Sequence, residues 1–248
     1  MNQPTISVVT VSFNSEATIK RTIESILAQT YTNIDYWIID GASRDATVQI
    51  AESYKNAFAE RGISYHIISE KDQGMYYAMQ KGVDHAAGDV IGILNSDDWY
   101  EPDTAERVAK AYVKTGFDML QGAIRIHKPN SQIVKTPRKR FYWTSLDWCH
   151  PAAFITKETY KKYPYKLKNG YDDFDLATRI NKNCHVVFTP EVLTNFSYGG
   201  VSTTNWSIKT LVTKIYERYE VYRVNGYSRL YILECVWVET AKCLYSLL

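Results

Sequence analysis

The chain has 248 residues, of which 45% are hydrophobic and 23% charged, enough for one large α/β domain or a domain with an appendage. The formal net charge is only +2, so no global basic field argues for nucleic acid as a partner. Four scattered cysteines without metal-ligand spacing, an N-terminus without a signal-like apolar core and the lack of any eighteen-residue apolar run fit a reduced, cytosolic chain.

Ile6-Ser7-Val8-Val9-Thr10-Val11 is a β-branched run that reads as a buried strand, and Ser12-Phe13-Asn14-Ser15 follows as a turn. Ile19, Ile23, Ile26 and Leu27 then recur at helical spacing. A second strand, Asp35 to Ile39, ends at Asp40-Gly41-Ala42-Ser43-Arg44-Asp45. A helix is expected from about Ala46 to Arg61, then a strand from Ser64 to Ile68, then Asp72-Gln73-Gly74 and a helix through Met75, Met79 and Val83. Val90 to Leu94 has the length and composition of an interior strand and empties into Asn95-Ser96-Asp97-Asp98. Strand and helix alternating in this way predict a mostly parallel sheet with helices on both faces. The crossover rule then gathers Asp40, Asp72, Asp97 and Asp98 on one rim of that sheet.

Adjacent carboxylates such as Asp97 and Asp98 repel unless a cation or donor compensates, and Mn²⁺ or Mg²⁺ suits carboxylate oxygen and phosphate together. The same tetrapeptide can also serve as a turn and helix cap. A dinucleotide fold is excluded by its own motif, because Ser12-Phe13-Asn14-Ser15 offers no glycine for a pyrophosphate.

A helix is expected from Glu101 to about Thr115, a strand over Met119 to Ile126 and a hairpin partner over Ile133 to Thr136. Pro137-Arg138-Lys139-Arg140 and Lys161 to Lys168 are basic and interleaved with aromatics; they read as a solvated face, with an anionic acceptor or membrane as the functional version. Asp172, Asp173 and Asp175 open an amphipathic helix, more carboxylates than a cap requires, so one is a candidate general base. In the last segment, Ile208, Leu211, Ile215, Tyr219 and Tyr222 form one stripe with Arg218 off it, and Leu230, Leu233, Trp237, Ala241, Leu244 and Leu248 form another. Both stripes are expected to pack on the domain or on a second chain. Glu234, Glu239 and Lys242 exclude a bilayer span, and interfacial membrane contact is the lesser alternative.

With these residues in place, the chain resembles glycosyltransferase family 2, of GT-A fold, and within it bacterial polysaccharide enzymes of the colanic-acid type. The resemblance covers roughly Ile6 to Asn205. It rests on Ile6 to Asn14, Ile39 to Thr47, Ser69 to Tyr76, Leu94 to Asp98, His150-Pro151-Ala152, Asp173-Phe174-Asp175-Leu176 and Gly199-Gly200-Val201-Ser202-Thr203-Thr204-Asn205, in that order.

It implies Phe13 against a nucleobase, Asp40 and Asp72 on the base's polar edge, and Thr10, Asn14, Lys81, Asn95 and Ser96 around the nucleotide. It implies Asp97 as metal ligand with Asp98 in support, and Asp173 as general base. His150, Asp172, Gly200 and Ser202 would border the phosphates or the acceptor. Gly41, Tyr77 and Pro151 stand where relatives often carry aspartate, aspartate and glutamine, and Asn95 replaces a leading aspartate.

The implied protein is an inverting, Mn²⁺- or Mg²⁺-dependent hexosyltransferase, moving sugar from a nucleotide donor, UDP-linked by expectation, to a saccharide or lipid-linked saccharide in bacterial envelope polysaccharide synthesis. Residues 1–205 would form the GT-A domain (1–100 for the nucleotide, 101–205 for the acceptor) and 206–248 a helical appendage for homodimer or peripheral membrane contact at the inner face of the plasma membrane. The competing readings are a non-catalytic nucleotide-sugar or glycan-binding module on the same fold, and a nucleotidyltransferase.

Overall fold

Ile6–Ser12 forms β1, buried at every position, as expected of a β-branched run inside a sheet. A computed structural model describes residues 3–138, 144–167, 170–199 and 207–246. Strands β2 (Ile34–Asp40), β3 (Ser64–Ser69) and β4 (Val90–Asn95) run parallel to β1 in the order β3-β2-β1-β4. Helices α1 (Ile19–Leu27), α2 (Thr47–Glu52), α3 (Lys55–Glu60) and α4 (Met75–His85) make the crossovers. Strand order reverses beside β1, so a crevice opens at the carboxyl ends of these strands.

The single helix expected over Ala46 to Arg61 is two helices, broken at Ser53 and Tyr54. Ser53 Oγ donates back to Ile50 O at 2.7 Å, and the Tyr54 hydroxyl reaches Glu24 on α1 at 2.8 Å. A local side-chain bond to the helix backbone competes with helix continuation.

The second half is mixed. β5 (Trp99–Tyr100) precedes α5 (Thr104–Thr115), followed by β6 (Met119–Lys128) and β7 (Ser131–Lys135) as a hairpin. β8 (Ala153–Thr156) then leads through α6 (Lys157–Lys162) and α7 (Asp172–Asn183) to β9 (Val186–Ser197). β8 lies antiparallel between β4 and β6, β9 runs parallel to β6, and β5 pairs antiparallel with β9. Pairing of Trp99 and Tyr100 with Asn195 and Thr194 delays α5, which starts three residues after the expected Glu101.

Two apolar layers cover the sheet. Ile6, Val8, Ile23, Ile38, Phe58 and Val108 pack on one face. Val9, Met79, Ile93, Leu176, Tyr222 and Cys235 pack on the other. Contact is closest at Gly82 of α4, where a Cβ would fall 2.1 Å from Val9 Cγ1, so only glycine lets that helix lie on β1. None of the four cysteines forms a disulfide.

The C-terminal segment forms α8 (Ile208–Val224) and α9 (Tyr231–Ser246); the first stripe packs on the domain through Ile215, Tyr219 and Tyr222, as expected, whereas the second faces outward. On α9 the inward face is Tyr231, Cys235, Val238 and Glu239, while Leu233, Trp237 and Leu244, and Leu230 just before the helix, are 59–68% exposed. On α8, Ile208 is exposed, and Arg218, expected off the stripe, is 3% exposed. Arg218 turns inward to pair with Glu239 at 2.5 Å and Glu234 at 3.5 Å, so the hairpin buries charge as well as apolar side chains. Among the described residues no helix is long and apolar enough to cross a membrane. Leu248, the last member of the second stripe, lies outside the described residues.

Candidate active site

Four loops meet at the carboxyl ends of β1 to β4, and their side chains lace them together. Asn14 and Ala42 take left-handed backbone angles, φ 49° and 60°, as the chain leaves β1 and β2. Non-glycine residues there are uncommon and mark functional sites. The Asn14 N–H donates to Ser43 Oγ at 2.8 Å, and Arg44 N–H to Asn14 Oδ1 at 2.9 Å. Ser15 Oγ meets Ser96 Oγ at 2.8 Å, joining the β1 loop to the β4 loop.

Phe13 stands at this rim 63% exposed, with the edge of its ring over Gly41, where a Cβ would meet Phe13 Cδ2 at 3.4 Å. An exposed aromatic on a rigid strand end is a ready platform for a flat ligand. Two side chains expected at the nucleotide are otherwise engaged. Asp40 is fully buried and accepts from Ser12 Oγ (3.0 Å), Ser43 N (2.9 Å), Ser43 Oγ (2.5 Å) and Ser69 Oγ (2.7 Å). A carboxylate has about four acceptor sites, so Asp40 is saturated by the protein and shapes the loop. Thr10, also fully buried, accepts the Tyr36 hydroxyl at 3.1 Å, because a phenol inside the core needs a partner.

Asp72 is different. Lys81 engages its Oδ1 and also reaches Glu70 at 2.7 Å, while Asp72 Oδ2 is buried without a partner. Lys81 therefore orients Asp72. The loop turns into α4 at Gly74, φ 136°, a conformation closed to other residues.

Beyond β4 the same pattern recurs. Asn95 Oδ1 and Asp98 Oδ2 are buried and unpaired, while Asp98 Oδ1 accepts Ser197 N–H at 2.9 Å. Burial, and then the neighbouring charge of Asp97, push the Asp98 carboxyl up to about 8, and burial also raises Asp97. Arg21, which sequence reasoning missed, clamps this loop from α1. Its Nη2 donates to Asp97 O and Ser197 Oγ, both at 2.8 Å, with the guanidinium 3.7 Å from the centre of the Trp99 ring.

Uncompensated carboxylates and an orphan oxygen are what a hard divalent cation would satisfy. No three His, Cys, Asp or Glu side chains converge among the described residues, so most coordination positions would fall to ligand oxygens and water. The donor set fits Mn²⁺ or Mg²⁺ shared with a diphosphate.

At the start of α7 the three aspartates separate as helical geometry requires. Asp172 and Asp175 are buried, and Asp173 is half-exposed. Asp175 is held by Lys166 at 2.9 Å and Arg179 at 2.8 Å. Asp173 Oδ1 accepts the hydroxyl of Tyr76, on the first turn of α4, at 2.7 Å. Burial, and then the charge of Asp173, hold that phenol well above its ordinary value, so it remains a donor. Tyr76 also went unassigned in the sequence, although it closes the Ser69 to Tyr76 block and helical register puts it beside the rim.

His150 opens a 3₁₀ turn over His150–Ala152 and lies 3.5 Å from the Tyr165 hydroxyl. Burial lowers its pKa, opposed by the charge of Asp173. Gly200 and Ser202 lie outside the described residues, as do Lys139 and Arg140 of the basic stretch.

These strand ends, with an aromatic platform, a carboxylate pair and a separate carboxylate on α7, are the geometry against which known proteins can be compared. The sequence matches glycosyl transferase family 2 over residues 7–185. The chain belongs to that family. It is 30% identical over 218 residues to the uncharacterized glycosyltransferase Rv1514c of Mycobacterium tuberculosis, covering 81% of this chain and 78% of the relative. A shorter match, 34% over 110 residues, links it to EpsH of Bacillus subtilis, where it covers 44% of this chain and spans 31% of that protein.

The GT-A fold is shared with S. aureus TarS 1-349 in complex with UDP, at TM-score 0.70 and 15% identity over 94% of this chain and 69% of that one. It is shared also with the mannosyltransferase PcManGT of Pyrobaculum calidifontis in complex with GDP-Man and Mn²⁺, at TM-score 0.69 and 13% identity over 98% and 74%. At these identities the likeness concerns the fold.

Proposed function

We propose that this family 2 glycosyltransferase is an inverting, metal-dependent hexosyltransferase that takes its sugar from a UDP-linked donor. The observation that carries the reading is the set of unpaired buried oxygens, on Asp72, Asn95 and Asp98, along the rim that presents Phe13. The complexes of TarS with UDP and of PcManGT with GDP-Man and Mn²⁺ support it by analogy.

In this reading the base stacks on Phe13 and gives an N–H to Asp72 Oδ2, held in place by Lys81. Asn14 and Ser96 shape the wall. Asp97 would hold the cation, with Asn95 and Asp98 beside it, and the bound ion would neutralise the departing diphosphate. Asp173 takes the proton from the acceptor hydroxyl while Tyr76 orients the carboxylate. The hydroxyl oxygen bonds to the anomeric carbon as the bond to the diphosphate breaks, so a single displacement inverts that centre. His150 and Asp172 are assigned to the acceptor side in this reading; Gly200 and Ser202, expected there too, lie outside the described residues.

The acceptor is proposed to be a saccharide or lipid-linked saccharide of bacterial surface polysaccharide, with the catalytic domain over 1–205 and the helices of 206–248 as its appendage. The outward face of α9 carries Leu233, Trp237 and Leu244, with Leu230 just before it, while Glu234 and Glu239 point inward and Lys209 and Arg229 are exposed. Apolar residues with cations suit the anionic inner leaflet of a plasma membrane better than they suit open water.

The deciding experiment is Mn²⁺-dependent turnover of a panel of UDP-, GDP- and dTDP-sugars, with and without EDTA, and NMR of the product anomer. A β-linked product from an α-linked UDP-sugar is expected. Tight UDP binding with no turnover of any donor would favour a binding module instead. Co-sedimentation with vesicles containing phosphatidylglycerol, lost on Trp237→Glu, is the corresponding test of the membrane face; a stable dimer with no vesicle binding would replace it.

A further inference from the structure

The C-terminal hairpin lies beyond the residues matched by the family, 7–185, and nothing in that match gives it a task. Its inner face grips one side of α7 along the helix's whole length. At the start, the Arg218 guanidinium sits 5.9 Å from the centre of the Tyr171 ring and 5.3 Å from that of Phe174. Phe174 also meets Tyr222 edge-on at 5.1 Å. In the middle, Asn225 Nδ2 donates to Asp175 Oδ1 at 2.8 Å and Thr178 Oγ1 at 3.0 Å, and the Tyr227 hydroxyl donates to Thr178 O at 3.2 Å. At the end, Lys182 Nζ reaches back to Asn225 O at 2.9 Å and Gly226 O at 3.3 Å.

Residues 171, 174, 175, 178 and 182 recur at the helical period, so they form one stripe. Asp173 stands two residues, about 200° of helix, from Tyr171 and faces Tyr76 on the opposite side. The grip therefore occupies the face of α7 that the base does not use.

The grip has an ionic centre. Arg218 is 3% exposed and Glu239 fully buried; they pair at 2.5 Å, with Glu234 3.5 Å from Arg218 Nε and Lys242 3.0 Å from Glu239. Glu239 also bonds to the Tyr171 side chain. A buried ion pair contributes little net stability compared with apolar residues of similar size, but its geometry is directional.

We propose that the C-terminal hairpin, through Arg218, Glu239 and Asn225, is a positioning brace that fixes the rotation and placement of α7 and so aims Asp173 at the acceptor. The proposal rests on the reading of Asp173 as the base. The donor rim, built from β1 to β4, does not use the brace. Loss of the brace should therefore cost turnover and leave nucleotide binding alone.

The test is the full-length triple variant Arg218→Met, Glu234→Gln, Glu239→Leu, which replaces the ionic centre without stranding a charge; Lys242, half exposed, can turn to water. Expected results are an unchanged or higher Tm, unchanged UDP affinity by calorimetry, and at least a tenfold fall in kcat at constant donor KM. Amide exchange at residues 172–176 should quicken, which reads the brace without any turnover. Adding Asp173→Asn to the triple variant should cost no more than Asp173→Asn alone, because both act through one group.

Wild-type kcat in the folded triple variant, or multiplicative losses with Asp173→Asn, would overturn the brace. If the triple variant does not fold, Asn225→Ala removes the bonds to Asp175 and Thr178 alone and should show the same split at smaller size; normal kcat and normal exchange there would also overturn it. Near-normal turnover of Asp173→Asn in the wild-type background would instead overturn the base assignment, a separate result.

Discussion

Asp40 and Asp175 are both buried aspartates behind the candidate site, and they are satisfied by opposite means. Asp40, at the end of β2, is filled by one backbone N–H and the hydroxyls of Ser12, Ser43 and Ser69, all on neighbouring strand-end loops. Asp175, on α7, is held by Lys166, Arg179 and Asn225, the last of them from the C-terminal hairpin. Asp40 is thus held by neutral donors gathered from three strand ends. The helix that carries Asp173 is held instead by charges close in sequence, Lys166 and Arg179, and by a neutral amide from the C-terminal hairpin, Asn225. In the proposed reading, binding a nucleotide and placing a base are separate tasks, and substitutions should separate them.

The largest effect is expected from Asp97→Ala, which removes the carboxylate assigned to the cation and should abolish Mn²⁺-dependent turnover with the fold intact by circular dichroism. Full activity in EDTA would refute the assignment. Next in size is Asp173→Asn, which keeps the shape and the contact with Tyr76 but loses the proton acceptor. Its kcat should fall by roughly 10²–10⁴-fold with UDP affinity unchanged. Loss of UDP binding in that variant would mean the two tasks are not separate.

Phe13→Ala reports on the donor rim alone. Removing a stacked aromatic weakens base binding by about 1–3 kcal/mol in other systems, so UDP affinity should drop by about 5- to 150-fold while kcat at saturating donor is kept. Calorimetry with unchanged affinity would take the base off Phe13.

The donor half was legible because its signals are local: β-branched runs give the strands, and the polar residue after each run must lie at the rim once the crossovers are right-handed. That logic gathers Asp40, Asp72, Asp97 and Asp98 at the strand ends. It could not tell that Asp40 is saturated, because its donors come from three separate strand ends. The engagement of Thr10 was hidden for a related reason, since only the structure reveals that Tyr36 donates to it. The first C-terminal stripe was legible in the same way, but the second faces outward, because hydrophobicity alone does not orient a helix that also buries two glutamates against Arg218. Arg21 and Tyr76 carry no motif of their own; each matters through one contact across the fold.

The smallest expected effect concerns His150, which opens the 3₁₀ turn before β8. Burial lowers its pKa from the ordinary 6.5, against the pull of Asp173, and Tyr165 is its polar neighbour. Below pH 6.5 the unfolded chain takes up a proton at this residue that the folded protein refuses until its own lower pKa is reached. The unfolded state then binds more protons, so stability must fall as pH falls through that window. His150→Gln keeps a polar side chain without the titration and should flatten the slope of Tm against pH between about 7.5 and the onset of carboxylate protonation near pH 5. Because Asp173 opposes the burial effect, Asp173→Asn should steepen the same slope. A slope indifferent to both substitutions would mean that His150 titrates as it does in water, and that the acceptor side of the site is wetter than the packing around Trp148 and Tyr165 implies.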